Sequence, residues 1–196
     1  MSRTPLVVVP LVVLLLAAAG FGARLLLADP DAADASGGPA RCWDGTSSRD
    51  GVAGCSRPRG LEGLAWVFPS IDLDDPACSG AEGERRTTWR CRVRVAGAPV
   101  VVTYAAARDV RGNLRRLRRV YAAGDRAAAR AADGSVNRWV WRLPEPDGSG
   151  LVRLTSAYRE HPYAVTVAAP TVQARDLALR RVVEQRDPAE VRGIPD

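Results

Sequence analysis

The sequence contains no lysine, only one histidine and no C-x-x-C pair. All 28 basic residues are therefore arginine, and together with 22 acidic residues they give a formal net charge of +6. A GC-rich genome favours arginine codons, so this charge is weak evidence for an anionic partner. Without closely spaced Cys and His ligands the sequence disfavours a metal site, and no cofactor is expected. No motif places a catalytic nucleophile, so we expect a protein that is not an enzyme.

One long uncharged segment, residues 5–23, lies at the N-terminus. As a helix its nineteen residues would span about 28 Å, which matches the hydrocarbon thickness of a bilayer. Three further leucines follow Arg24, whose long side chain can reach the headgroups. We therefore predict a transmembrane anchor over residues 1–28 that contacts the lipid bilayer through residues 5–28.

The charges that flank this segment indicate its orientation. Arg3 and the free amino group precede it, whereas three aspartates follow it. The positive-inside preference then predicts a single-pass protein of the cell membrane, with a cytoplasmic N-terminus and an extracytoplasmic C-terminal domain. The alternative is a signal peptide cleaved at the small residues 17–19, which would release a secreted soluble binding protein. In both interpretations the rest of the chain lies outside the cytoplasm.

The exported part divides into a linker and one domain. Residues 29–41 are small, acidic and rich in Gly and Pro, which is typical of a flexible linker. Residues 42–196 suffice for one domain with a hydrophobic core, and this domain contains the four cysteines Cys42, Cys55, Cys78 and Cys91. An even number in an exported domain indicates two disulfides, and of three possible connectivities the nearest-neighbour pairs are favoured. Each short bridge would stabilise the fold by about 3 kcal/mol.

Periodicity in the exported part predicts an α+β domain. Strands are predicted over residues 64–68, 87–95, 100–107, 138–143, 151–158 and 163–168. Helices are predicted after Asp109 and Thr171, which are suitable N-caps. The resulting order is β-β-β-α twice, an antiparallel sheet of about five to six strands with two helices on one face. Residues 70–84 are predicted as a loop, and residues 125–135 as a loop or a short helical turn.

Arginines alternate with apolar residues along several of these strands. If the strands pair, we expect six of them on one solvent-facing surface: Arg90, Arg92, Arg94, Arg138, Arg142 and Arg153. Such a face would bind an anionic envelope polymer or anionic headgroups, whereas the alternative is an ordinary solvated face. Trp139 and Trp141 point away from Arg138 and Arg142. This disfavours nucleic acid, because base stacking needs aromatics and cations on the same face.

The single histidine defines the enzymatic alternative. His161 lies in a turn between Glu160 and Pro162. An imidazole is a suitable general base, so a cell-envelope hydrolase that uses His161 stays open as a second hypothesis. No neighbouring motif supplies its nucleophile.

Several residues in the first third of the domain form a recognisable pattern: Cys42-Trp43-Asp44-Gly45, Gly63-Leu64, residues 66–70, and Trp89 before Cys91. The pattern resembles an uncharacterised extracytoplasmic Cys-containing domain of actinobacterial membrane proteins. Similar modules follow the transmembrane helix of some serine/threonine kinases. The resemblance implies disulfides and export but identifies no ligand, and no kinase function is expected because so little precedes the anchor. We therefore expect a non-catalytic domain that binds, senses or contacts another membrane or envelope protein.

Overall fold

The computed structural model describes residues 38–84, 86–131, 134–143 and 145–196. The predicted anchor and the linker up to residue 37 therefore lie outside the described residues. Within the described ranges, no helix combines the length and the apolar character needed to cross a bilayer.

Ten strands and three helices make up the described part of the chain. The strands are β1 (Ala40–Cys42), β2 (Ser47–Ser48), β3 (Cys78–Gly83), β4 (Arg86–Val95), β5 (Ala98–Ala107), β6 (Asp125–Arg130), β7 (Val136–Arg142), β8 (Val152–Tyr158), β9 (Tyr163–Ala169) and β10 (Gly193–Pro195). The helices are α1 (Gly60–Val67), α2 (Val110–Val120) and α3 (Val172–Arg181), with 3-10 turns at Gly51–Gly54 and Pro188–Glu190.

Seven of these strands form one antiparallel sheet with the spatial order β3-β4-β5-β9-β8-β7-β6. Two meanders, β3 to β5 and β6 to β9, therefore meet where β5 pairs with β9. The predicted α+β class and antiparallel sheet are confirmed, with more strands than expected.

The two faces of this sheet are covered by different helices. On the first, which we call the α1/α3 face, Tyr104, Val165 and Val167 belong to the same buried cluster as Leu64 of α1 and Ala178 of α3. All five side chains are almost completely buried. Burial of apolar surface at about 25 cal/mol per Å² makes this cluster the main source of stability.

α2 lies on the opposite side of the sheet, which we call the α2 face. Leu117 and Tyr121 of this helix pack against Trp141, Ala157 and Ala164. The two predicted helices therefore cover opposite faces, and the expectation of two helices on one face was wrong for this pair. The physical reason is that the small alanines and the tryptophan form a second apolar patch, which needs its own cover.

α1 occupies a segment for which the sequence predicted a strand over residues 64–68. Leu64 and Phe68 are four residues apart, a spacing that fits an alternating strand and a helix equally well. Val67 is fully buried beside them, so the buried positions follow the i, i+3, i+4 pattern of a helix. The alternation was therefore a misleading subset of a helical pattern.

Two strands of the seven-stranded sheet occupy segments that were predicted without strand structure. β3 falls within residues 70–84, where Cys78 lies directly opposite Cys91 of β4 and is bonded to it. Gly80 leaves room for the ring of Trp89, because a Cβ at Gly80 would come within 2.8 Å of that ring. β6 is rich in alanine, and its order comes from pairing with β7 rather than from strand propensity.

A small sheet of order β10-β1-β2 joins the two ends of the described chain. The Asp196 N–H donates to the carbonyl of Pro39 at 3.0 Å, which closes this sheet at its edge. Cys42 at the end of β1 is bonded to Cys55. Both nearest-neighbour disulfides are therefore present, and the described residues contain no free cysteine.

Candidate anion-binding site

The strand register divides the six arginines of the predicted basic face between the two faces of the sheet. Four of them lie on the α2 face: Arg90, Arg92, Arg94 and Arg153. Arg138 and Arg142 lie on the α1/α3 face, since Trp139 and Trp141 occupy the α2 side of the same strand. The expectation of one shared face was therefore wrong for these two. Arg138 instead donates from Nη1 to Oε1 of Gln185 at 2.5 Å.

A row of hydroxyl side chains crosses the middle of the α2 face. Thr103 of β5, Thr166 of β9 and Thr155 of β8 are successive partners in the strand register. The hydroxyl of Tyr121 from α2 lies 2.6 Å from Thr155 Oγ1, which lies 2.7 Å from Thr166 Oγ1. Burial raises the pKa of Tyr121, so its hydroxyl stays protonated at neutral pH. The row is therefore a hydrogen-bonded floor of small, polar side chains.

Arginines from three elements surround this floor. We call the resulting site the arginine groove; it comprises Arg86 and Arg90 of β4, Arg116 of α2, Arg153 of β8 and the threonines Thr103, Thr155 and Thr166. Two adjoining depressions of about 180 and 200 Å³ make up the groove, and they share Thr103, Arg153 and Thr166. The groove exists because α2 covers only one end of the α2 face.

The position of α2 depends on its N-cap. Asp109 accepts the N–H of Gly112 at 2.6 Å, which confirms the predicted cap. Such a cap typically contributes about 1 kcal/mol and fixes where the helix begins. Arg116 lies on the side of α2 that borders the groove. Leu117 and Tyr121 of the same helix belong to the buried cluster that packs against the sheet.

Two arginines of the groove carry like charges in a partly dehydrated place. Burial lowers the pKa of the Arg86 guanidinium, and the nearby charge of Arg116 lowers it further. Burial also lowers the pKa of Arg116. Both groups stay charged, because a guanidinium does not deprotonate in proteins. The pair therefore costs free energy in the folded protein, and an anion between the two would remove that cost.

Carboxylates neutralise only part of this charge. Asp147 forms an ion pair with Arg153, and hydrogen bonds from Ser149 lower the pKa of the Asp147 carboxyl most strongly. Among residues 38–84, 86–131, 134–143 and 145–196, no carboxylate forms an ion pair with Arg86, Arg90 or Arg116. The groove is therefore strongly electropositive at neutral pH.

A second basic concavity adjoins the groove at the end of the sheet. This end cleft, of about 330 Å³, is bordered by Arg57, Arg59, Arg86 and Arg108, with Glu84 as its acidic residue. Arg57 donates from Nη1 to the carbonyl of Arg108 at 3.1 Å, which ties the two sides of the cleft together. Arg86 lines both the end cleft and the groove, so the two concavities adjoin at this residue.

The tryptophans of β7 lie on the same face as the groove. Trp139 and Trp141 do point away from the arginines of their own strand, but the α2 face also carries Arg126, whose guanidinium lies 4.4 Å and 5.4 Å from the centres of their rings. Aromatic rings and a cation therefore do lie on the same face of the sheet, contrary to the premise of the argument against nucleic acid. Trp141 is only 5% exposed, so its ring is packed under α2 and does not form an open stacking surface.

His161 lies away from the groove and holds the C-terminal segment. Its Nε2–H donates to the carbonyl of Pro188 at 3.0 Å, and its ring packs edge-on against Tyr158 at 5.9 Å. Burial lowers the pKa of His161, with the charges of Arg192 and Arg57 adding to this effect. This contact fixes the orientation of the ring and leaves Nδ1 as its acceptor nitrogen when the imidazole is neutral. Within the described part of the chain, no group of three or more His, Cys, Asp or Glu side chains could hold a metal ion.

Sequence reasoning missed half of the groove arginines and the whole threonine row. Arg86 and Arg90 are an even number of residues apart on β4, so their side chains lie on the same face of the sheet. Following the alternation four residues toward the N-terminus would have identified Arg86. A signal for Thr103 and Thr166 was also present, because a polar residue in an otherwise apolar central strand is unusual. Nothing in the sequence places Arg116 beside them, since that contact depends on which face α2 covers.

The groove joins elements from both meanders, so its chemistry rests on the tertiary fold and not on one sequence motif. Comparison of the chain with models of protein families, with curated proteins and with solved structures finds no match.

Proposed function

We propose that this chain is a single-pass membrane protein whose extracytoplasmic domain binds an anionic ligand in the arginine groove, without catalysing a reaction. The observation that carries this proposal is that four arginines line two adjoining depressions with a shared threonine floor. Arginine presents its donors as a planar fork that matches carboxylate and phosphate oxygens, and hydroxyl groups add further donors. An anion bound there would also relieve the repulsion between Arg86 and Arg116.

The strength of binding follows from the exposure of the groove. Hydrogen bonds to charged groups contribute about 1.5 to 3 kcal/mol each, but solvent screens those in an open groove. Two or three such contacts give a total of about 4 to 7 kcal/mol, which corresponds to a Kd from about 1 mM to about 10 µM for a small anion. Such an affinity suits a sensor or an interaction domain that releases its ligand readily.

Two independent features support the extracytoplasmic position. The uncharged residues 5–23 have the length of a membrane span, and the disulfides Cys42–Cys55 and Cys78–Cys91 persist only in an oxidising compartment. The resemblance of residues 42–91 to exported actinobacterial domains agrees with both. Cleavage of the N-terminal segment would instead give a secreted protein with the same groove.

The chemistry of the groove favours binding over catalysis. Arginine does not exchange its proton near neutral pH, and the pKa of Tyr121 is raised by burial, so neither is a suitable general base. His161, the candidate of the hydrolase hypothesis, donates to Pro188 and does not line the groove.

Calorimetric titration of the full-length chain with tripolyphosphate in a neutral detergent tests the binding site. We expect micromolar to millimolar binding that falls at least ten-fold in the double variant Arg86→Gln/Arg116→Gln. The matched control is Arg180→Gln/Arg181→Gln, which removes the same charge from α3 on the other side of the sheet and should bind as the wild type does. Equal losses in both variants would attribute binding to net charge and refute the groove.

The position in the membrane needs a separate test. A reporter that is active only outside the cytoplasm, fused after Asp196, should give a signal. Mass spectrometry of the mature N-terminus should detect the intact anchor, whereas a chain that begins near residue 20 would show cleavage. Activity of a cytoplasm-only reporter would overturn the topology.

A further inference from the structure

The arginine groove is one part of a longer basic path across the domain. Arg86 lines both the end cleft and the first depression of the groove, and Arg153 lines both depressions. The path therefore runs from Arg59 and Arg108 at the end of the sheet, past Arg86, to Arg90 at the far end, and the neighbouring concavities along it share lining residues.

The path is too long for one small anion. Arg86 and Arg90 lie four residues apart on the same face of β4, which separates their Cα atoms by about 13 Å at the usual rise of a strand. The end cleft extends the path on the other side of Arg86. A single phosphate or carboxylate group contacts only one of these positions, so a ligand that uses the whole path needs several charges in a row.

The charge density indicates which oxyanion fits. Arg86 and Arg116 face the same space, and a phosphate chain carries one charge on every interior group and up to about two on each terminal group, which is a denser row of charges than carboxylates on separate side chains provide. Against these arginines stand Glu84 in the end cleft and Asp147, which is paired with Arg153. The path thus keeps a large excess of positive charge along its length.

We infer that the ligand of the arginine groove is a linear chain of phosphate groups that continues past Arg86 into the end cleft; this inference rests on the proposed function. The threonine row contacts the chain from below, and α2 borders it on one side. The arginines contact phosphates at intervals along the chain. Affinity therefore rises with chain length until the chain reaches Arg59 and Arg108.

The test compares tripolyphosphate with long-chain polyphosphate on the full-length protein, at several salt concentrations. The variant Arg59→Gln/Arg108→Gln removes two exposed charges from the end cleft and leaves the groove intact. We expect it to bind tripolyphosphate as the wild type does and to lose about 10- to 30-fold in affinity for the long chain. The slope of log affinity against log salt for the long chain should fall by about two, because two phosphate contacts are lost.

The outcomes separate this inference from the proposed function. Absence of tripolyphosphate binding would refute the anion-binding groove itself. Tripolyphosphate binding with no gain for the long chain, or with no effect of Arg59→Gln/Arg108→Gln, would refute only the extended path. Polyglutamate, phosphatidylglycerol vesicles and single-stranded DNA serve as competitors at equal charge. Tighter binding of any of these than of polyphosphate would overturn the assignment to a phosphate chain.

Discussion

Replacement of Arg86 by glutamine should stabilise the domain while it weakens ligand binding. Arg86 and Arg116 are half-buried, and their like charges oppose each other without an ion-pair partner among the described residues. Exposed charge pairs are worth about 0.2 to 1 kcal/mol, and partial burial places this pair in the upper half of that range. Relief of about 0.5 to 1 kcal/mol corresponds to a rise in Tm of about 1 to 4 °C for a domain of this size.

Thermal unfolding of the full-length chain, followed by circular dichroism, measures this rise. Arg116→Gln should behave alike, because its contact to Asn113 Oδ1 spans 3.5 Å and contributes little. The gain should shrink at high salt, which screens the repulsion. Arg180→Gln offers a control of opposite sign, since a cation in the last turn of α3 stabilises that helix. A lower Tm in both groove variants would mean that these arginines support the fold, and the reasoning about a ligand would fail.

Three further outcomes can be measured by urea unfolding. Tyr121→Phe removes the hydroxyl bonded to Thr155 and should lower the free energy of unfolding by about 1 kcal/mol; an unchanged value would contradict that bond. Arg186→Met removes an Nε–H donor at 2.8 Å from the Trp66 carbonyl and a guanidinium 3.9 Å above the Trp66 ring. The free energy of unfolding should therefore fall by about 1 to 3 kcal/mol. A smaller loss would show that other contacts hold the C-terminal segment. His161 has a folded-state pKa below its usual 6.5, so the unfolded chain binds the proton more readily and the free energy of unfolding should fall as the pH drops through 6.5. His161→Gln should flatten this dependence of stability on pH. If the variant and the wild type lose stability in parallel, other groups cause the effect.

Local chemistry made parts of the fold predictable from the sequence. The caps at Asp109 and Thr171 and the alternating strands from Trp89 onward are set by residues close in the chain, and the structure has them where they were expected. The disulfides were similarly constrained by short loops. These features depend on hydrogen bonds and periodicities that span only a few residues.

The errors share a different physical cause. β3 has a poor sequence for a strand and is held in place by its bond to Cys91 and by the ring of Trp89, which are both on β4. The sequence of β7 alone does not show on which face of the sheet Arg138 lies. That assignment depends on α2, which covers the face that carries Trp139 and Trp141. The groove itself needs β4, β8 and α2 together, so only tertiary packing reveals it.

The pairing of β1 with β10 determines how the domain would respond to mechanical load. Ala40 lies opposite Pro195 and Cys42 opposite Gly193, so the segments before Ala40 and after Pro195 leave the small sheet at the same end of the β1–β10 pair. A pull between the ends would peel this sheet apart one residue pair at a time, instead of shearing all its hydrogen bonds at once. The covalent link from Cys42 to Cys55 would then carry the tension past the intervening loop. The domain would therefore yield first by a short, soft extension, with its larger sheet still intact.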